Sequence, residues 1–329
     1  MKKSMLLLIF ISFITDSYNQ IVKGTVFDKD NKKPVIHASI YFNGTMVGTN
    51  TDENGYFILD VSKYPTMPLS VSALGYELVT LSDYPRDKQV VVYMTPKVFE
   101  LKDVVVSDES LVKKRKANMK VFRSCFLGTT SNGLLSEIMN EKDIHFIYDE
   151  SDAIKAYSSE PLIIENRGLG YKVTFFLEEF EYDRKKDSWF FLGNILFNED
   201  LNIEESLHER YERRRRNAFK GSKMHFFRTL WNNQLDSTGF QVTDTKGNIL
   251  ACEDIVIEAD SVNKFLYYPE MLNIYYQTPK QSSFIEFKQD QVYFDNTGFF
   301  DALGITWGGV MARQLIGDWL PYEYTLPAE

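Results

Sequence analysis

The chain has 329 residues, with 46 acidic against 37 basic side chains and a net charge of -9 when histidine is neutral. That balance argues against nucleic acid or an anionic membrane as the main partner, because both call for a cationic face. The two cysteines and four scattered histidines do not make a structural zinc set, and the length points to two domains, since single cores rarely grow past about 250 to 300 residues.

The chain opens on Met1-Lys2-Lys3, an apolar run from Met5 to Ile14 and then polar residues to Gln20. Two positive charges before an apolar run too short to cross roughly 30 Å of hydrocarbon read as a secretory signal peptide. Cleavage is expected after Ser17 or within two residues of it, so residues 1–19 are assigned to the leader. No later stretch approaches membrane-spanning length, and no cysteine near the cut would carry a lipid anchor.

From residue 20 to 98, short β-type runs alternate with turn signals every 8 to 12 residues or so, the rhythm of a sandwich. The runs are Ile21 to Phe27, Ala38 to Phe42, Tyr56 to Val61, Leu69 to Ala73, Leu78 to Leu81 and Gln89 to Met94. Turns are expected at Asp28 to Asn31, Asn43-Gly44, Asp52 to Gly55 and Tyr84 to Asp87. Asn-Gly suits a tight hairpin because both residues tolerate positive φ. Phe57, Ile40 and Val71 are expected to face the core.

The ordered string Gly24-x-Val26, Pro34, Ala38-x-Ile40, Asn43-Gly44-Thr45, Gly48-Thr49, Thr51-Asp52-x-x-Gly55-x-Phe57 and Leu69-x-Val71-x-x-x-Gly75-Tyr76 resembles the carboxypeptidase-regulatory-like domain. The resemblance implies a seven-stranded antiparallel, prealbumin-like (transthyretin-like) β-sandwich without catalytic residues. Such domains sit beside metallocarboxypeptidases and at the N-termini of TonB-dependent outer-membrane receptors. Asp52-x-Asn54-Gly55 has the start of a calcium loop but lacks its later ligands, so a turn is expected.

Residues 99–118 read as a linker and helix: Leu101 to Val106 as a last strand or connector, then the basic run Lys113 to Lys116 as the solvated side of a helix carrying Met119 and Phe122. Residues 119–329 alternate strand and helix patterns, giving an α+β domain in a mainly β chain. A hairpin is expected over Asp143 to Tyr148 and Ala153 to Tyr157, further strands over Leu162 to Glu165, Tyr171 to Tyr182 and Trp189 to Leu196, and a helix after the capping box Asn202-x-x-Glu205. Within that helix, Glu209 and Glu212 precede Arg213 and Arg216 by four, the order of exposed ion pairs. This region resembles secreted envelope proteins known by their carboxypeptidase-like regulatory domain, through Pro161-Leu162-x-Ile164-x-Asn166-x-x-Leu169-Gly170-Tyr171 and Asp318-x-Leu320-Pro321-x-Glu323-Tyr324. That likeness implies no activity.

No nucleophile elbow, His-Glu-x-x-His pair or phosphate loop occurs, and no catalytic residue, metal ligand or cofactor is assigned. Glu179, Glu181 and Asp183 alternate onto one strand face, which reads as the wet side of a sheet. His225 beside Ser222 has no acid to orient it and reads as a half-buried histidine bonded to backbone. Asp236-Ser237-Thr238 and Asp260-Ser261-Val262 are similar to an O-glycosylation pattern of some envelope bacteria. Cys125 and Cys252 are either a disulfide, which an oxidising compartment would permit, or two buried thiols. Trp307, Trp319, Tyr322 and Tyr324 are candidate binding aromatics, with core packing as the alternative. The expectation is an exported, non-enzymatic binding or assembly module in the periplasm or at the outer membrane, partnered by an envelope protein. A carbohydrate-binding accessory protein and a hydrolase of unrecognised type are the alternatives.

Overall fold

The first strands follow the turn punctuation closely: β1 (Ile21–Asp28), β2 (Ser39–Phe42), β3 (Gly48–Asn50), β4 (Tyr56–Asp60), β5 (Leu69–Ser72), β6 (Val79–Leu81) and β7 (Val90–Met94). A computed structural model describes residues 21–64, 67–85, 88–97, 109–149, 152–199, 205–260 and 263–327. The leader, Leu101 to Val106, Asn202 of the capping box and Ser261 lie outside the described residues.

The seven strands form two sheets, β4-β1-β7 and β3-β2-β5-β6, the two leaves of a sandwich. Strand β1 alternates between buried Val22, Gly24 and Val26 and more exposed neighbours, as a half-buried strand must. Phe57, Ile40 and Val71 are all buried, as their positions on the alternation require. Gly24 is fixed by its partner in the ladder, Phe57: a Cβ there would come within 2.5 Å of the Phe57 ring and 2.7 Å of the Val90 carbonyl oxygen. One pair departs from an all-antiparallel sandwich. Strand β7 enters beside β1 in the same direction, with Gly24 opposite Val90 and Asp28 opposite Met94.

Contacts divide the chain into two units, residues 1–40 with 49–97 and residues 41–48 with 98–329. The short segment Tyr41–Gly48 thus belongs to the second unit, as does the helix at the segment read as linker, α1 (Glu109–Phe126). Its Met119, Phe122 and Phe126 are buried in the core of that unit.

Against α1 packs a six-stranded antiparallel sheet of β8 (Ser136–Ile138), β9 (Ile144–Ile147), β10 (Ile154–Ser158), β11 (Leu162–Asn166), β12 (Tyr171–Asp183) and β13 (Ser188–Glu199). Their spatial order is β8-β11-β12-β10-β9, with β13 paired along β12. Phe175, Phe180, Ile195 and Phe197 point inward to meet Phe122 and Phe126, giving an aromatic core with ring centroids 4.6 Å apart at Phe122 and Phe180. Helices α2 (Glu205–Phe219) and α3 (Lys223–Trp231) follow, then the short α4 (Leu235–Thr238).

A second core lies under α3. It is built on β14 (Phe240–Thr243), β15 (Ile249–Leu250), the short helix α5 (Cys252–Ile255), β16 (Val256–Glu258), β17 (Lys264–Leu266), β18 (Leu272–Tyr276), β19 (Thr278–Phe287), β20 (Val292–Phe294) and β21 (Ile305–Gly309). These strands make the sheets β15-β14-β18-β19-β21 and β16-β17-β20. The chain is mainly β with a minority of helix, and no described helix is long and apolar enough to cross a membrane.

Candidate binding surface

The long hairpin β12–β13 has two unlike faces. Its inner residues reach the core, while Phe190 and Leu192 of β13 point outward at 49% and 40% exposure. They stand opposite Glu181 and Glu179 of β12, and Glu181 in turn faces Lys155 of β10, itself opposite Ile147. One row across four strands therefore reads Phe190, Glu181, Lys155, Ile147. Lys155 is drawn to Asp149 at 3.0 Å, and that pair raises its amine above the ordinary lysine value. Further along β12, Asp183 caps the tip of the hairpin, accepting from the backbone N–H of Lys185 and Lys186, which holds its carboxyl below the usual range. The acids expected on the wet face of this strand are on it.

At the far end of β13 the sheet edge is closed by the chain itself. Gly44 N–H donates to the Ile195 carbonyl at 2.8 Å, Phe197 N–H donates to the Thr45 carbonyl at 2.9 Å, and Ile195 N–H donates to Asn43 Oδ1 at 2.8 Å. Thr45 and Leu196 form a parallel bridge. Beside it, the ring of Tyr41 stacks on Phe176 with centroids 4.8 Å apart. Because a strand turns alternate backbone groups to each side, the same edge at Trp189, Phe191 and Gly193 faces away from β12. No described strand pairs with it there.

A second outward apolar face lies on the sandwich, within the first unit. Ile58, Val91 and Tyr93 are each about half exposed on the outer side of β4-β1-β7, in register with Lys23, Thr25 and Phe27.

The four candidate binding aromatics all make packing contacts, the alternative given for them. Trp319 donates its indole N–H to the Gln314 carbonyl at 3.0 Å and lies against Phe191, and Tyr324 is buried against Phe219. Tyr322 is half-buried, and burial pushes its hydroxyl above the ordinary tyrosine value. Trp307 belongs to the second core with Phe226, Phe227 and Phe300. Trp319 and Tyr324 pack on the core under α1 whereas Trp307 packs on the second core, so the four are not gathered on one core. Cys125 and Cys252 are free, buried thiols in two different cores, the second of the two readings of this pair and not the disulfide. Burial pushes the Cys125 thiol up to about 11.

The arginine block also departs from an exposed ladder. Arg215 is buried, donating to the Leu169 carbonyl at 2.8 Å and pairing with Glu212 at 2.8 Å and Glu199 at 3.1 Å. Glu212 thus reaches Arg215, three residues on, rather than Arg216. His225 accepts at Nδ1 from Gly221 N–H at 3.1 Å, while its own backbone N–H donates to the capping Ser222 Oγ. Burial, aided by Arg228 and Lys220, brings its imidazole down to about 4. A neutral ring that already accepts from backbone, with no carboxylate beside it, is a packing group. Among the described residues no cluster of histidine, cysteine and carboxylate could hold a metal ion. At Asp52 the carboxylate accepts from Asn54 and Tyr56 N–H, the turn expected there.

The family model described as CarboxypepD_reg-like domain matches residues 22–106. The N-terminal sandwich is thus similar to that domain. This domain is a non-catalytic β-sandwich module, and the match ends before α1. Comparison with curated protein sequences gives no match. Among solved structures, a 9R-lipoxygenase from Cyanothece PCC8801 is similar at 9% identity and a TM-score of 0.16, over 70% of this chain and 50% of that one. The chain thus spans about half the length of that structure, and a likeness this low bears on neither fold nor function.

Proposed function

We propose that the protein is exported and serves, without catalysis, as a binding or assembly module of the cell envelope. The observation that carries this reading is the outward edge of β13. Phe190 and Leu192 are exposed beside a stretch of strand with no described neighbour on that side. Soluble proteins usually blunt such edges, and one left apolar marks an interaction site. The CarboxypepD_reg-like domain, a module without chemistry of its own, supports the same role. The leader-like start, two lysines before an apolar run, supports export.

Cell fractionation with N-terminal sequencing tests the location. The expected product starts at Tyr18 or within two residues of it and is found in the envelope fraction. A cytosolic protein that keeps Lys2 and Lys3 would overturn export. Affinity purification of the tagged full chain from solubilised envelopes tests the role, with a stoichiometric membrane protein as the expected companion. Recovery of the protein alone, together with binding to insoluble glycans, would replace assembly by carbohydrate capture.

A further inference from the structure

We propose that the Ser188–Gly193 part of β13 is an acceptor edge for an extended segment of another polypeptide, one that alternates apolar with basic side chains. This rests on the binding role above and names the class of partner.

Three observations converge on that occupant. The first is that strand addition already takes place on this edge. The chain's own Asn43–Thr45 runs beside Ile195–Phe197 and exchanges backbone hydrogen bonds of 2.8 and 2.9 Å with it. The edge continues past this segment without a described neighbour, and main-chain pairing is what gives such additions their affinity.

The second is the side-chain pattern. Phe190 and Leu192 project from the outer face at alternate positions, so an added strand would lay its own alternate residues beside them. Apolar residues there would cover surface that is now wet.

The third is charge. Glu179 and Glu181 lie directly behind Leu192 and Phe190 on the same face, and neither forms a described ion pair shorter than 4 Å. Long basic side chains on an incoming strand can reach one strand further and meet them, whereas acidic ones would be repelled.

The test uses the full chain and two capped peptides. One is Val-Lys-Val-Thr-Val-Lys-Val-Thr, and the other has glutamate in place of lysine. Amide hydrogen exchange is read residue by residue, with and without peptide. The lysine peptide is expected to slow exchange about tenfold at Trp189, Phe191 and Gly193, and the glutamate peptide to bind at least about tenfold more weakly. The variants Phe190→Lys and Leu192→Lys sit on the outer face and leave the core intact. Each is expected to weaken the lysine peptide by about tenfold while the far-ultraviolet spectrum is unchanged.

Equal binding of both peptides would overturn the charge argument, and with it the proposed partner class. Protection elsewhere, or none, would overturn the edge as the site. Protection of the same amides that rises with protein concentration and needs no peptide would assign the edge to a second copy of this chain, against the proposal. Affinity purification from solubilised envelopes reads the binding role separately, so a failure here leaves that result standing on its own.

Discussion

The guanidinium of Arg215 lies 4.1 Å from the centre of the Tyr171 ring, which places a fixed positive charge against an aromatic face inside the second unit. Four further contacts to Leu169, Gly170, Glu212 and Glu199 use four of its five N–H donors, and two of those partners are carboxylates. Replacing it by alanine removes the cation and strands two carboxylates, whereas lysine keeps the charge but loses the planar fork. Arg215→Ala is expected to destabilise by about 3 kcal/mol and Arg215→Lys by less, measured by urea unfolding. Arg213→Ala, at an exposed position of the same block, should change stability by less than about 0.5 kcal/mol.

His225 gives the unit a pH dependence of definite sign. Its folded value of about 4 lies below that of a free imidazole, so between the two values the unfolded chain binds more protons. Stability from this group is therefore complete above about pH 6.5 and declines as the pH falls toward 4. His225→Gln, which can still accept from Gly221 N–H, should flatten that decline. The difference between the two proteins is expected to reach about 3 kcal/mol over the window, read from denaturant unfolding at successive pH values.

The two thiols are expected to behave as separate core residues. Mass spectrometry after unfolding without reductant should show two alkylated cysteines. In the folded protein at pH 8, Cys125 should label slowly, because its thiol is buried and pushed up to about 11. A single species two mass units lighter, resistant to alkylation until reduced, would show a bridge instead.

Trp307 carries a buried indole N–H with no hydrogen-bond partner among the described residues. Trp307→Phe deletes that orphan donor while keeping a ring against Phe226 and Phe227. The gain of about 1 kcal/mol or more from the donor should offset most of the lost ring area, leaving a net change within about 1 kcal/mol. Trp319→Phe loses a satisfied bond to the Gln314 carbonyl and should cost more, as thermal unfolding of both variants will show.

Gly44 has φ +81°, and a Cβ on it would run into the ring of Tyr322. Gly44→Ala is expected to cost at least about 2 kcal/mol from backbone strain and overlap together. Hydrogen exchange should rise selectively at Phe197, whose N–H donates to the neighbouring Thr45 carbonyl.

Much of the sandwich was legible because its signals are local. Glycines and Asx turns cut the chain into runs whose length and alternation match β1, β4, β5 and β7 to within a residue or so. The hairpin of β9 and β10 and the helix α2 were legible for the same reason. Strand β3, only Gly48–Asn50, was hidden since three residues carry no period. The arginine block shows the harder limit. Four adjacent arginines look alike in sequence, and which one turns inward is decided by Tyr171, Glu199 and Leu169, residues far away in the chain. The aromatic tail failed in the opposite way, since stickiness to a sugar and stickiness to a core use the same atoms. The edge of β13 without a described neighbour has no sequence signature, because a strand does not record on which side it is paired.

The hydrogen bonds at Gly44 and Thr45 also set a limit. They seal one end of β13, so sheet extension there has a stop at Ile195, and beyond it no described strand pairs with the hairpin tip. The stretch Ser188 to Gly193 measures roughly 17 Å at 3.4 Å per residue. That is the span of one strand of five or six residues, so a longer guest would meet the chain's own segment at Thr45.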